Sequence, residues 1–560
     1  MATGDWWRHG VVYQIYPRSF ADSDGDGVGD LAGITARLDH LNDGTPGSLG
    51  VDAIWLSPFY PSPMADFGYD VADYTDVDPL FGTLGDFDRL VAEAHARGIR
   101  VVVDLVPNHT SDRHPWFLES RSSRDNPKRD WYVWADSRPD GSPPNNWVSA
   151  FPRAGRSWTF DEATGQWYLH SFTPEQPDLN WWNPEVREAM DAVMRFWLDR
   201  GVDGFRVDVA HKMARDPELR DNTLVELDEA DLDDSGLARA RRLDKLKSVP
   251  RRDEDWPEVH EILRRFRRTL DGYDDRMAVG EVYLLDLERL ARYYGSGQDE
   301  FHLAHNFVFL TQPWKAEAFR SVVDEFNGLL PADAWPAWML GDHDISRVAS
   351  RYDDGGNGQA RARVAAMLLL TLRGTPFVYM GDEIGQADGE IPPDRVVDVD
   401  GRDPERSPMQ WDGSPGAGFG FRLTGEPPRV APDPSADPWL PVGSQAAAVN
   451  VAAQRDDPAS MLTLFRRLIW YRKGSAALHG GDYRSLPDAP GGCYAYLRTA
   501  GDERLLVALN FTGQSLEYQV EGHARGRLEL ATDPARPAGD PVGLHPLRLA
   551  PDEGVVVRLD

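Results

Sequence analysis

Three observations predict an α/β chain built on a (β/α)8 barrel. Apolar, β-branched runs alternate with helix-period patterns over most of the 560 residues. The strand-like runs number eight between residues 11 and 380. Past about residue 476 the helices cease and short alternating strands remain. A doubly wound open sheet is the competing α/β architecture, and the count of eight favours the barrel.

The elements follow in order. Residues 11–20 read as the first strand and 30–41 as the helix after it. Residues 51–58 form the second strand; in 86–97, Phe87, Leu90, Val91 and Ala94 recur at helical spacing until Gly98 stops the helix. Residues 100–106 are apolar almost throughout, as in a parallel strand buried on both faces. From 111 to 175 the composition turns to Pro, Gly, Asn, Ser, Arg and aromatics with no clear helix, and Gly165–His170 is the best strand; this is a small inserted domain. Alternation resumes with Asn183 as an N-cap, Pro184 at the first helical position and a helix to Asp199. Strands four to eight fall at 205–209, 277–282, 301–309, 335–340 and 376–380, with helices at 314–329 and 359–372. Residues 214–255 are a long charged excursion ahead of a basic helix near 257–270; a Pro/Gly-rich stretch, 412–458, precedes a last helix at 461–472. Strands at 493–497, 505–510, 516–520 and 554–559 make a C-terminal antiparallel β domain. The expected partition is 1–110 and 176–475 for the barrel, 111–175 for the insertion and 476–560 for the β domain.

Sixty basic against 91 acidic residues give a formal charge of -31, which argues against nucleic acid and other polyanions. No stretch approaches a bilayer span and the N-terminus carries no apolar leader, so neither membrane nor export is expected and a cytoplasmic enzyme is the simplest account. The single Cys493 excludes an internal disulfide framework and a cysteine metal cluster.

Barrel chemistry gathers at the carboxyl ends of the strands. Asp66 and Tyr69 follow the second strand, Asp104-Leu-Val-Pro-Asn-His109 ends the third, Arg206 and Asp208 the fourth, Gly280-Glu281 the fifth, and Asp342-His343-Asp344 the seventh. Side chains two apart on a strand share a face, so Arg206 and Asp208 project together, opposite Phe205, Val207 and Val209. The guanidinium favours the ionised carboxylate and holds its pKa low, which suits a nucleophile; a structural ion pair is the alternative from these two residues alone. Several carboxylates at one mouth meet the requirement of glycoside hydrolysis, two carboxyls flanking a scissile bond.

Motifs along the barrel carry a resemblance: Val51-Asp-Ala-Ile-Trp-Leu-Ser-Pro58, residues 104–109, Gln176-Pro-Asp-Leu-Asn180, Gly204-Phe-Arg-Val-Asp208, Gly280-Glu-Val282, His343-Asp344 and Gly374-Thr-Pro-Phe-Val-Tyr-Met-Gly-Asp-Glu383. In this order the chain resembles the α-amylase family of glycoside hydrolases, in its α-glucosidase and oligo-1,6-glucosidase branch. The resemblance implies the (β/α)8 barrel, an inserted domain B after the third strand and a C-terminal β-sandwich. It implies Asp208 as nucleophile, Glu281 as general acid/base with a raised pKa, and Asp344 as the third carboxylate. It assigns His109 and His343 as transition-state hydrogen-bond donors, and Asp66 with Tyr69 to the grip on the non-reducing end. Phe172 and Gln176 would line the pocket; Arg406, in Arg402-Asp-Pro-Glu-Arg-Ser-Pro-Met-Gln-Trp411, would contact the same glucose, with Arg402 a weaker candidate. The implied reaction is retaining, with the two carboxyls roughly 5–5.5 Å apart.

Asp22-Ser-Asp-Gly-Asp-Gly-Val-Gly-Asp30 places Asp22, Asp24, Asp26 and Asp30 at positions 1, 3, 5 and 9 of an EF-hand-like loop, with Gly27 at the sharp turn and the Val28 carbonyl at position 7. Position 12 is Gly33, so this is no helix-loop-helix sensor, and an acidic turn is the plainer reading. Related α-glucosidases carry a structural Ca²⁺ or Mg²⁺ at the matching loop, which implies one here and no organic cofactor.

The leading expectation is an exo-acting α-glucosidase cleaving terminal glucose from short α-glucosides. A glucosyl-transferring or isomerising enzyme, of sucrose isomerase or trehalose synthase type, would use the same intermediate. A non-catalytic transporter-associated subunit is a third class, disfavoured because the carboxylates are present and a span is absent. For linkage, Val209 after the nucleophile goes with α-1,6 activity in related enzymes, whereas the flank Ala210-His-Lys212 resembles maltose-acting ones and tips the balance slightly to α-1,4.

Overall fold

The structure is a computed structural model that describes residues 5–151, 154–223, 251–421 and 437–560. Within the charged excursion, 224–250 lie outside the described residues, as do 422–436 of the Pro/Gly-rich stretch.

Eight parallel strands form one curled sheet: β1 (Val12–Ile15), β2 (Ala53–Leu56), β3 (Arg100–Leu105), β4 (Gly204–Val207), β5 (Met277–Gly280), β6 (Leu303–Ala304), β7 (Ala337–Met339) and β8 (Thr375–Tyr379). Each strand from β1 to β6 pairs with its sequence neighbour, and β8 pairs with both β7 and β1, giving a near-closed barrel. Side-chain alternation divides its layers. Val12, Trp55, Val102, Val279, Leu303, Met339 and Phe377 pack together inside, whereas Tyr13, Ile54, Val103, Phe205, Val207 and Val378 pack with the surrounding helices.

Several strands are shorter than expected, the first and the sixth by most. The first ends at Ile15, because Pro17 opens a helical turn, Pro17–Phe20. The sixth is only Leu303–Ala304; the Asn306 side chain accepts from the Phe309 N–H and starts the buried helix Phe307–Leu310. A short apolar run fits buried helix and buried strand equally, and here a cap decided it. The helices otherwise fall close to expectation, at Leu84–Ala96, Pro184–Asp199, Ala316–Leu329, Gly358–Thr371 and Met461–Gly474.

Between β3 and β4 an antiparallel three-stranded sheet orders Trp134–Ala135, Gln166–Leu169 and Trp158–Asp161. A helix, Pro115–Ser122, precedes it where none was expected; it buries only Phe117 and Ser120, too little for a readable apolar stripe.

The C-terminal strands are β9 (Asp482–Ser485), β10 (Cys493–Ala500), β11 (Glu503–Asn510), β12 (Leu516–Tyr518), β13 (Arg525–Ala531), β14 (Pro541–Gly543), β15 (Leu547–Leu549) and β16 (Gly554–Leu559). They form an antiparallel six-stranded sheet, β9-β10-β11-β16-β13-β14, and a β12-β15 pair. One face of the large sheet, with Tyr494, Tyr496, Leu505, Val507 and Leu509, packs on the barrel's core; the other, with Ala495, Leu506, Ala508, Val555 and Val557, packs with Tyr518, Leu547 and Leu549 of the pair. Among the described residues no helix is long and apolar enough to cross a membrane.

Candidate active site

The carboxyl ends of β3, β4 and β5 bring three carboxylates to one guanidinium. Parallel register sets Asp104 beside Arg206. Arg206 Nη1 donates to Asp104 Oδ1 at 2.9 Å and to Asp208 Oδ1 at 2.5 Å, while its Nη2 lies 2.8 Å from Glu281 Oε2. Trp55, inside the barrel, donates from Nε1 to Asp104 Oδ2 at 3.2 Å and lies under the Arg206 guanidinium at 5.0 Å. Gly280 just before Glu281 has no room for a side chain: a Cβ there would sit 2.2 Å from the Phe301 ring.

This crowding corrects the expectation that Arg206 holds Asp208 at a low pKa. Burial raises the Asp208 carboxyl, and Glu281 and Asp104 add to the rise; Arg206 opposes it without prevailing. Asp104 is likewise pushed up to about 6 by burial against the pull of Arg206. One guanidinium faces three buried carboxylates and does not offset the burial that raises Asp208 and Asp104.

Asp344 is the opposite case. Its side chain is 32% exposed, the most open of the three expected acids, and Oδ1 receives Arg406 Nη2 at 2.7 Å and Arg402 Nη1 at 3.1 Å. Burial would raise it, but the Arg402 and Arg406 guanidiniums hold it well below the usual carboxylate range. Arg402 also reaches Asp66 Oδ1 at 2.6 Å and Asp398 Oδ1 at 2.7 Å, so it joins Asp66, Asp398 and Asp344. Arg406 adds a bond from Nε to the His343 carbonyl at 2.8 Å.

His343 is layered between Tyr16 and Tyr69, the Tyr69 ring 5.3 Å away and nearly parallel. The Tyr69 hydroxyl donates to Asp104 Oδ2 at 3.1 Å, so the 2.7 Å contact with His343 Nε2 makes that nitrogen the donor, and Nδ1 takes the Gln14 amide at 2.8 Å. Burial lowers the pKa of His343 to about 3, so it is neutral. His109, also lowered by burial, places Nε2 3.1 Å from both the Tyr69 carbonyl and Gln176 Nε2; Gln176 donates to Asp66 Oδ2 at 3.0 Å. Phe172 packs on His109 at 5.2 Å. Every expected barrel-mouth residue thus belongs to one connected cluster.

Val209 departs from the reading as a strand residue. The strand stops at Val207, and Val209 has φ 35° and ψ 45°, left-handed backbone that is a true outlier for a β-branched residue. Its side chain clusters with Phe151 and Phe172 from the insertion rather than with Phe205 and Val207.

In the acidic loop, carboxylate oxygens of Asp22, Asp24 and Asp30 lie within 4.8 Å of one another. Asp24 Oδ1 is buried without a hydrogen-bond partner, and burial pushes Asp22 up to about 6 and raises Asp30. A divalent cation fits this oxygen-only donor set. Asp26 is not drawn into the group: its Oδ1 accepts from the Val28 N–H at 2.8 Å. Gly27, at φ 91°, packs so closely that a Cβ would meet the Asp437 carbonyl at 2.5 Å.

Sequence reasoning missed Asp104 and Trp55 as partners of Arg206, Asp398 as the clamp on both arginines, and Phe151, whose ring lies 4.9 Å from the Arg402 guanidinium. Asp104 could have been found from its place at a strand end; Asp398 sits in a polar loop with nothing to mark it.

A family model for the α-amylase catalytic domain matches residues 14–481. The chain is 44% identical over 530 residues to a probable α-glucosidase of Rhizobium meliloti (strain 1021), covering 92% of this chain and 91% of that one. It is 38% identical over 557 residues to an oligo-1,6-glucosidase of Heyndrickxia coagulans, covering 92% and 93%. Among solved structures, an α-glucosyl transfer enzyme matches with a TM-score of 0.87 at 38% identity over 99% of each chain. The trehalulose synthase of Pseudomonas mesoacidophila MX-45 matches with a TM-score of 0.85 at 33% identity, again over 99% of each. The chain belongs to the α-amylase family of glycoside hydrolases.

Proposed function

We propose that the chain is a retaining, exo-acting α-glucosidase that releases terminal non-reducing glucose from short α-glucosides. The observation that carries this reading is the Arg206 fork, one guanidinium bonded to both Asp208 and Glu281. That bridge keeps the two carboxyls close together, as suits a nucleophile and an acid roughly 5–5.5 Å apart. Glu281 would give its proton to the glycosidic oxygen as the C1–O bond breaks and Asp208 bonds to C1. Glu281, now a carboxylate, would then take a proton from water as the water oxygen displaces Asp208. Asp344, held ionised, would bind sugar hydroxyls and favour the oxocarbenium-like state.

Exo action rests on the Arg402–Asp66 ion pair and the Gln176–Asp66 bond, which would close the site beyond the non-reducing end of the glucose. On linkage we keep α-1,4 slightly ahead of α-1,6. The likeness to an α-glucosyl transfer enzyme and a trehalulose synthase favours a second reading, in which a sugar rather than water accepts glucose. A structural Ca²⁺ or Mg²⁺ held by Asp22, Asp24 and Asp30 would stabilise the first βα loop and supply no chemistry.

The test is NMR of the first-released glucose with maltose, isomaltose, sucrose and trehalose as substrates. Initial α-glucose is expected, and β-glucose would reject retention; an isomerised disaccharide from sucrose would favour transfer. Asp208→Asn should lose about 10⁴-fold or more in kcat, and unchanged glucose release by that variant would reject the nucleophile.

A further inference from the structure

The loop after β4 is tied to Glu281 twice. The Ala210 N–H donates to the Glu281 carbonyl at 3.0 Å, and the Val209 N–H donates to the Glu281 side chain, Oε2, at 2.9 Å. Both bonds lie where the strand gives way to a turn, with Val209 in left-handed backbone at φ 35°. Such backbone is costly for valine and persists only where surroundings enforce it; here Phe151 and Phe172 hold the side chain. Oε2 therefore receives two donors, the Val209 N–H and Arg206 Nη2 at 2.8 Å, while Oε1 receives none among the described residues.

We propose that the strained turn at Val209 makes its backbone N–H a positioning group for Glu281, fixing Oε2 as the oxygen that stays unprotonated and Oε1 as the one that carries the proton to the glycosidic oxygen. This rests on Glu281 being the acid. An oxygen accepting an N–H and a guanidinium bond has little use for a proton of its own, so the carboxyl's two oxygens are inequivalent before substrate arrives. The proton leaves Oε1 for the leaving-group oxygen, and the electron pair of the broken C1–O bond stays on that oxygen. The carboxylate left behind is stabilised at Oε2 by donors already in place, the economy of a preorganised site.

The groups facing Glu281 are Asp104 from β3, Arg206 and Asp208 from β4, Asp342 after β7, and His211, bonded to the Glu281 main chain. All stay in place when residue 209 is replaced by the α-hydroxy acid analogue of valine, which converts its amide to an ester and deletes only the N–H. Losing a donor to the charged carboxyl should move the basic limb of kcat/KM up by about one pH unit. Cleavage of maltose should slow about tenfold, and of an activated aryl α-glucoside, which needs little protonation, distinctly less. Val209→Gly keeps the N–H and reaches positive φ freely; its KM changes as the side chain is lost, but its limb should stay where the parent's is. A folded ester variant with an unmoved limb, or Val209→Gly shifting it equally, would overturn the proposal. Neutron diffraction of the unmodified enzyme below the limb gives a second reading that needs no variant: deuterium on Oε1 is expected, and on Oε2 it would be fatal. Glu281→Gln separates the two levels. If that variant keeps the parent's basic limb, the assignment of the acid fails, whatever the N–H does.

Discussion

Arg402 is the weaker of two candidate arginines in the sequence, and the structure makes it the tie among Asp66, Asp398 and Asp344. Its guanidinium bonds Asp66 at 2.6 Å, Asp398 at 2.7 Å and Asp344 at 3.1 Å. Arg402→Lys keeps the charge but replaces a planar fork with a point cation, which can serve only part of that set. A hydrogen bond to a charged group contributes about 1.5–3 kcal/mol. Losing the equivalent of one such bond in the reacting complex lowers kcat/KM by about 10- to 150-fold. The assay is kcat/KM on an aryl α-glucoside beside inhibition by glucose, with a thermal melt to show that the fold survives. Weakened glucose inhibition should accompany the loss, because Arg402 ties Asp66 to Asp344 in the proposed glucose site. A folded Arg402→Lys enzyme within threefold of the parent in kcat/KM would refute the assignment of Arg402 to that site.

Excess chelator should lower the melting temperature while leaving kcat at moderate temperature unchanged, since the acidic loop lies outside the catalytic cluster; an unchanged melt in chelator would reject the cation. Glu405, buried, is pushed up to about 8 by that burial. A folded-state pKa raised above the unfolded value contributes stability below about 4.5 that is lost as pH rises through about 8. The advantage of Glu405→Gln in melting temperature should therefore grow from pH 5 to pH 8, and parallel curves for variant and parent would contradict it. Gly280→Ala puts a Cβ 2.2 Å from the Phe301 ring. Overpacking there should cost about 1–3 kcal/mol, seen as a lower melting temperature, and should cut kcat because Glu281 is the next residue; a melt equal to the parent's would show that the ring gives way freely.

Most of the barrel was legible because its strands are buried on both faces and read as unbroken apolar runs, Val101–Val103 most plainly. The overruns at Pro17 and Asn306 come from the same rule, since an apolar run does not say where a cap will interrupt it. In the site, spacing along one strand correctly put Arg206 with Asp208, and the family motifs supplied the residues around them. What spacing does not carry is closure. Asp398 becomes a clamp only when the loop after β8 folds back over the mouth, and Val209 leaves its strand only because the chain must turn toward Glu281.

The sharpest difference concerns charge. Taken as a pair, Arg206 and Asp208 imply an ionised carboxylate with a depressed pKa. Taken as a cluster, the same arginine faces Asp104, Asp208 and Glu281 in a site where Asp208 and Glu281 are only 5% and 7% exposed. Burial there outweighs the pull of Arg206 and raises the Asp208 carboxyl well above its usual range. A retaining glycosidase needs one carboxyl ionised to attack and one protonated to assist departure. In the proposed retaining reaction the cluster's shortage of positive charge keeps a proton at hand, and a second arginine beside Asp208 would remove it.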